Sequence, residues 1–148
     1  MRNALLAFSF FILTGCTTVH IPNYIKSELN YQRKVYGDFD QIVSSVRSVL
    51  AKEGWKIENE IHPSVFERTE SEDSKGILIF TGVKQHSMFL YSSYTHLNVF
   101  VHAIAEGATV EIRFHKVTPL LIKQFRSNRN DKLANRLLDK IEKEAETR

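Results

Sequence analysis

Apolar positions in this chain follow two different periods. From Phe39 the apolar residues recur as Phe39, Ile42, Val43, Val46, Val49 and Leu50, which is helical spacing with one continuous stripe. Ser44, Arg47, Ser48 and Lys52 fall on the opposite side. Asp38 stands where a helix N-cap belongs, with Gln41 three residues on as in a capping box, and Asp40 suits the positive helix end. Gly54 is a natural C′ residue, with Trp55 placed to fold back on Leu50. A second helix is predicted from 131 to about 145, capped by Asn130 and carrying Leu133, Leu137, Leu138 and Ile141 on one stripe.

Elsewhere the period shortens to two. Residues 31–36 read as a strand with Tyr31, Arg33 and Val35 on one face, ended by Gly37, and 55–61 alternate as a second strand closed by His62-Pro63-Ser64. A short strand is expected at 65–69, a polar loop at 70–76, a continuously apolar strand at 77–81, and a bend at Gly82 and 84–87. Met88-Phe89-Leu90-Tyr91 would extend the sheet or form an apolar flap. Segments 95–105 and 108–118 flank Glu106-Gly107 and predict a hairpin in which Ala105 pairs with Ala108. That register sets Ala103 against Val110, Val101 against Ile112 and Val99 against Phe114 on a core face. The other face pairs His102 with Glu111, Phe100 with Arg113 and Asn98 with His115, and Pro119 ends the second strand. The order strand–helix–strands–helix predicts an α+β domain over 31–148, an antiparallel sheet with two helices packed on one face.

The N-terminus has its own grammar. Arg2 is the only charge before Lys26, and a ten-residue apolar run from Ala4 to Leu13 is half the length a membrane-spanning helix needs. A positive start, a short apolar stretch and small residues form a secretory signal over 1–15. The string Leu13-Thr14-Gly15-Cys16 directly after the run resembles the lipobox of bacterial lipoprotein precursors. The resemblance implies cleavage between Gly15 and Cys16, with a diacylglyceryl thioether and an N-acyl chain on Cys16. It implies no other cofactor. Thr17 follows the cysteine where Asp would retain such a protein in the inner membrane, so the family's sorting pattern implies the periplasmic face of the outer membrane. Two or more acyl chains suffice for stable anchoring. Residues 16–30, with no clean period, read as the lipidated cysteine and a tether.

Composition narrows the function. Of 148 residues, 43% are hydrophobic and 25% charged, which is globular. Lys+Arg 20 against Asp+Glu 17 gives +3, too mild for a dedicated nucleic-acid binder. Cys16 is the only cysteine, so no intrachain disulfide or cysteine zinc cluster forms. No nucleophile elbow, zinc-protease helix, phosphate loop or C-x-x-C occurs, and the expectation is a protein that is not an enzyme. The predicted register puts His96 diagonal to His115, a spacing that reads as a His-tolerant solvated sheet face rather than a metal site. Phe100, His102, Arg113 and His115 make a mixed aromatic and basic face, the candidate partner-binding surface. The flap at 88–91 or the last helix could instead cover it. Lys116, Lys123, Arg126, Arg129, Lys132 and Arg136 against Asp131 form a basic strip, read as a solvated helix start and loop that could add electrostatic hold on a membrane. Leu120, Leu121, Ile122 and Phe125 within it are expected to close the core edge, or to mark an interface if exposed.

The layout of Asp38-Phe39-Asp40 with its helix, Gly54-Trp55-Lys56-Ile57-Glu58, the hairpin at 97–114 and the helix at 133–141 resembles small periplasmic lipoprotein domains of helix-grip or TATA-binding-protein-like shape. The accessory lipoprotein of the outer-membrane barrel-assembly machine is built from such domains. The resemblance implies a noncatalytic binding or scaffolding module for an envelope protein complex. The alternative is a periplasmic carrier holding a lipid or small apolar ligand between the sheet and the last helix.

Overall fold

Two fourteen-residue strands organise the molecule: β5 (Tyr91–Ile104) and β6 (Gly107–Leu120) pair along almost their whole length. At about 3.4 Å per residue this ribbon is roughly 45 Å long. The computed structural model describes residues 18–29, 31–66, 75–89, 91–120 and 123–147. Around the ribbon stand β1 (Gln32–Tyr36), β2 (Ile57–Ile61) and β3 (Gly76–Thr81), giving the antiparallel order β1-β6-β5-β3-β2. β4 (Lys84–Met88) and β7 (Lys123–Ser127) pair with the far halves of β5 and β6. Helices α1 (Phe39–Lys52) and α2 (Asp131–Glu146) pack on one face of this sheet and on each other. The chain is therefore α+β, as its periodicity predicts.

The helix ends follow local chemistry. Asp38 accepts from the amides of Asp40 and Gln41, and Asn130 accepts from Leu133 N. Gln41 does not complete the capping box; its amide donates to the Ala145 carbonyl at 3.4 Å and ties α1 to the end of α2. At the other end Gly54, at φ 71°, lets Gly54 N reach Ala51 O and Trp55 N reach Leu50 O, a Schellman closure. Ile42, Val46, Leu50, Leu137, Leu138 and Ile141 then meet Leu97, Val99, Val101, Val110, Ile112 and Phe114 in one buried cluster. Fully burying each such side chain contributes about 1.5–3 kcal/mol. The space between sheet and last helix, where the alternative carrier reading places a ligand, is filled by these side chains.

Several strand expectations need correction. The hairpin turns at Ala105-Glu106, so Ile104 pairs with Gly107 and Ala103 with Ala108. Val101 therefore faces Val110, Val99 faces Ile112 and Leu97 faces Phe114. The cause is β1: a Cβ on Gly107 would stand 2.1 Å from the Val35 carbonyl oxygen, so this glycine serves the close approach of β1, not the turn. The slip is two residues, which preserves the faces. Residues 84–87, expected as a bend, form β4 together with Met88. Their polar side chains face solvent, and Lys84 lies over the Trp55 ring at 4.0 Å and donates to Glu53 O at the end of α1. β6 runs through Pro119, which pairs with Gln124 at a sheet edge. Pro63–Val65 is a 3-10 turn and not the start of a strand; 67–69 and the loop at 70–74 lie outside the described residues.

Candidate functional site

The face of the sheet away from the helices presents Leu78 and Phe80 from β3, His96, Asn98, Phe100 and His102 from β5, and Glu111, Arg113 and His115 from β6. Direct opposites are His96 with His115, Asn98 with Arg113, and Phe100 with Glu111, each two residues from the predicted pairing. The candidate contact residues are brought together on this face, but they are not a surface. Phe100 is fully buried, Arg113 and His115 are nearly so, and only His102 remains partly exposed, stacked on Phe100 at 5.9 Å.

The cover is neither the flap at 88–91 nor the last helix. It is the segment 18–29, most of the expected tether, which lies across this face as a strap. Asn98 Oδ1 accepts from Ile25 N at 2.7 Å and Asn98 Nδ2 donates to Asn23 O at 3.1 Å. One amide side chain thus satisfies a donor and an acceptor of the strap as a neighbouring strand would. His96 Nδ1 lies 3.0 Å from Pro22 O, and Gln124 Nε2 donates to Thr18 O at 3.2 Å. Arg113 donates to Tyr24 OH at 3.1 Å and Ile25 O at 3.3 Å. The same guanidinium grips both carboxylate oxygens of Glu111 at 2.8 and 3.1 Å and lies 3.7 Å from the Phe100 ring centre. Tyr24 stacks on Phe66 at 4.7 Å and meets Phe100 edge-on at 6.4 Å. The strap docks because a buried Arg, Asn and Glu require partners that a bare sheet face does not offer.

Burial holds the His96 imidazole below its ordinary pKa, and the neighbouring His115 adds to this; the Pro22 and Thr81 backbone and Glu58 act the other way. His115 Nδ1 lies 2.6 Å from Asn128 Oδ1, while its Nε2 is buried without a partner. Among the described residues, no three His, Cys, Asp or Glu side chains come together to hold a metal. Beside the strap a cleft of about 380 Å³ is lined by Asn23, Glu58, Asn59, Phe66, Phe80 and His96. It offers one carboxylate, one imidazole, two amides and aromatic walls. From the sequence, no site role falls to Asn98 or to the strap residues Tyr24 and Ile25; the available signal is a lone Asn inside the otherwise apolar stretch 97–101.

The basic strip is solvent-facing where expected, on the α2 start and β7. Leu120 and Phe125 do not close the core edge; they are 41% and 50% exposed, and Leu121 and Ile122 lie outside the described residues. Gly15, Cys16 and the rest of the signal also lie outside them. Comparison with protein-family models and with curated proteins finds no match for this chain.

Proposed function

We propose that this chain is an outer-membrane lipoprotein, acylated on Cys16, whose single α+β domain works from the periplasmic face as a noncatalytic binding or scaffolding module for an envelope protein complex. The observation that carries the reading is Leu13-Thr14-Gly15-Cys16 at the end of a ten-residue apolar run. Thr18, two residues from Cys16, is hydrogen-bonded to β7, which places Cys16 within about 7 Å of that contact. The polar groups of the outer face support a binding rather than a chemical role, since Asn98, Arg113 and Glu111 are engaged in holding the strap. Phe100 and Arg113 are interior to the free domain, so a partner meets other surfaces. Cys16→Ser is the test. The wild-type chain is expected in the outer-membrane fraction carrying labelled palmitate, and the variant unlabelled and displaced. An unlabelled wild-type chain in the soluble fraction overturns the proposal.

A further inference from the structure

Both outer hairpins of the sheet turn at the same end of the long ribbon. Met88 pairs with Tyr91 to close β4–β5, and Leu120 pairs with Lys123 to close β6–β7. The β5–β6 pairing ends at Tyr94 and Val117, three residues short of each closure, so both closures lie at the end away from Ala105-Glu106. By strand alternation Met88, Tyr91, Leu120, Lys123 and Phe125 share one face of this four-stranded arm. All four of its apolar members are at least 40% exposed, and Phe89 at the tip is completely so. A cluster of this size in water marks a surface that is covered in use.

Two observations say what covers it. The first is charge. Segments 84–95 and 116–127 contain Lys84, Lys116, Lys123 and Arg126 and no Asp or Glu, and among the described residues Lys116, Lys123 and Arg126 make no ion pair. Apolar side chains at a tip with unneutralised cations behind them fit acyl chains below and phosphate head groups above. The second is the path of the chain. The strap reaches this same end, where Gln124, next to the β6–β7 closure, holds Thr18. The chain leaving Thr18 leads within two residues to Cys16.

We infer that Met88, Phe89, Tyr91, Leu120 and Phe125, at the ends of the β4–β5 and β6–β7 pairs, dock into the surface of a bilayer containing anionic phospholipid, which sets the domain upright on the membrane. The orientation rests on the proposed anchor at Cys16; the apolar tips and their cations do not. Upright, the ribbon carries Glu106 roughly 45 Å from the lipid.

The full chain is prepared as its membrane-extracted product with Phe89→Cys or, as control, Glu106→Cys. Both sites are exposed, so neither change disturbs the core. A thioether-blocked Cys16 leaves the new thiol as the only one to label with an environment-sensitive fluorophore. The product is reconstituted in phosphatidylethanolamine–phosphatidylglycerol vesicles carrying a spin-labelled lipid quencher. The label at 89 is expected to be quenched several-fold more than the label at 106, and the difference to shrink in Lys123→Gln/Arg126→Gln. Equal quenching at both sites overturns the inference. So does a label at 89 that is shielded from water yet unquenched by lipid, because a second copy or another protein then covers the tip. Anchoring is read separately, by flotation and by labelling at Cys16. A floating protein with an unquenched tip removes this inference alone. A free Cys16 thiol, with the tip still quenched when Phe89→Cys is repeated in a Cys16→Ser background, removes the anchor alone.

Discussion

The sheet has two covered faces, closed by different physics. Under the helices the contact is apolar throughout: Val99, Ile112, Leu137 and Ile141 bury completely and ask nothing of their neighbours but shape. Under the strap, buried Arg113 with its Glu111 partner, buried Asn98, and the Phe66 and Phe100 rings against the strap's own Tyr24 hold a segment with no regular structure, largely through its main-chain N–H and C=O groups. The first face is strong and tolerant of similar side chains. The second is specific, since its polar groups are matched to particular partners and the loss of one leaves another stranded.

The comparison breaks most severely at the helix face. Ile112→Ala or Leu137→Ala should cost about 2–5 kcal/mol in denaturant unfolding, with strap and core lost together. A smaller loss confined to the strap would mean that the two faces do not share one cooperative unit. Arg113→Met should cost about 3 kcal/mol, because it leaves the largely buried Glu111 carboxylate with Ser27 as its remaining side-chain partner. If Glu111→Gln in the same background recovers none of it, charge is not what makes this face costly to disturb.

Asn98→Ala sharpens the contrast. It should cost about 1–3 kcal/mol and raise amide exchange at Ile25 far more than at Ile112. Uniform acceleration would deny the strap an independent opening. Acid is the mildest probe. The folded state holds His96 below its ordinary value, so the unfolded chain binds the proton first. This contribution to stability is intact above about pH 6.5 and declines as pH falls below it, by no more than about 1.4 kcal/mol per pH unit. Of the charged neighbours that face this ring, Glu58 favours its proton and His115 disfavours it. His96→Gln should flatten that segment of the stability–pH curve; an unchanged slope assigns it to other groups.

This contrast also explains what could be read from the residues alone. Phe39 to Leu50 and Leu133 to Ile141 carry a helical period, and Val99, Val101, Val110 and Ile112 a strand period, because apolar burial imprints its geometry on composition. Even a two-residue error of register left those faces correct. The outer face leaves no such imprint. Phe100, His102, Arg113 and His115 look like an exposed aromatic–basic surface because buried polar residues are recognisable only by their partners. For His96, Asn98 and Arg113 those partners include main-chain atoms of Pro22, Asn23 and Ile25, and any residue supplies such atoms. β4 was missed for a related reason: with solvent on both sides, Gln85, His86 and Ser87 carry no alternation to read.

The account stands on the fate of Cys16, and the mass of the N-terminal tryptic peptide, residues 16–26, taken from membrane-extracted protein measures it directly. The account predicts a peptide that begins at Cys16 and carries the mass of a diacylglyceryl group and a further acyl chain. A peptide that begins elsewhere, or that begins at Cys16 with a free thiol and a free amine, contradicts it.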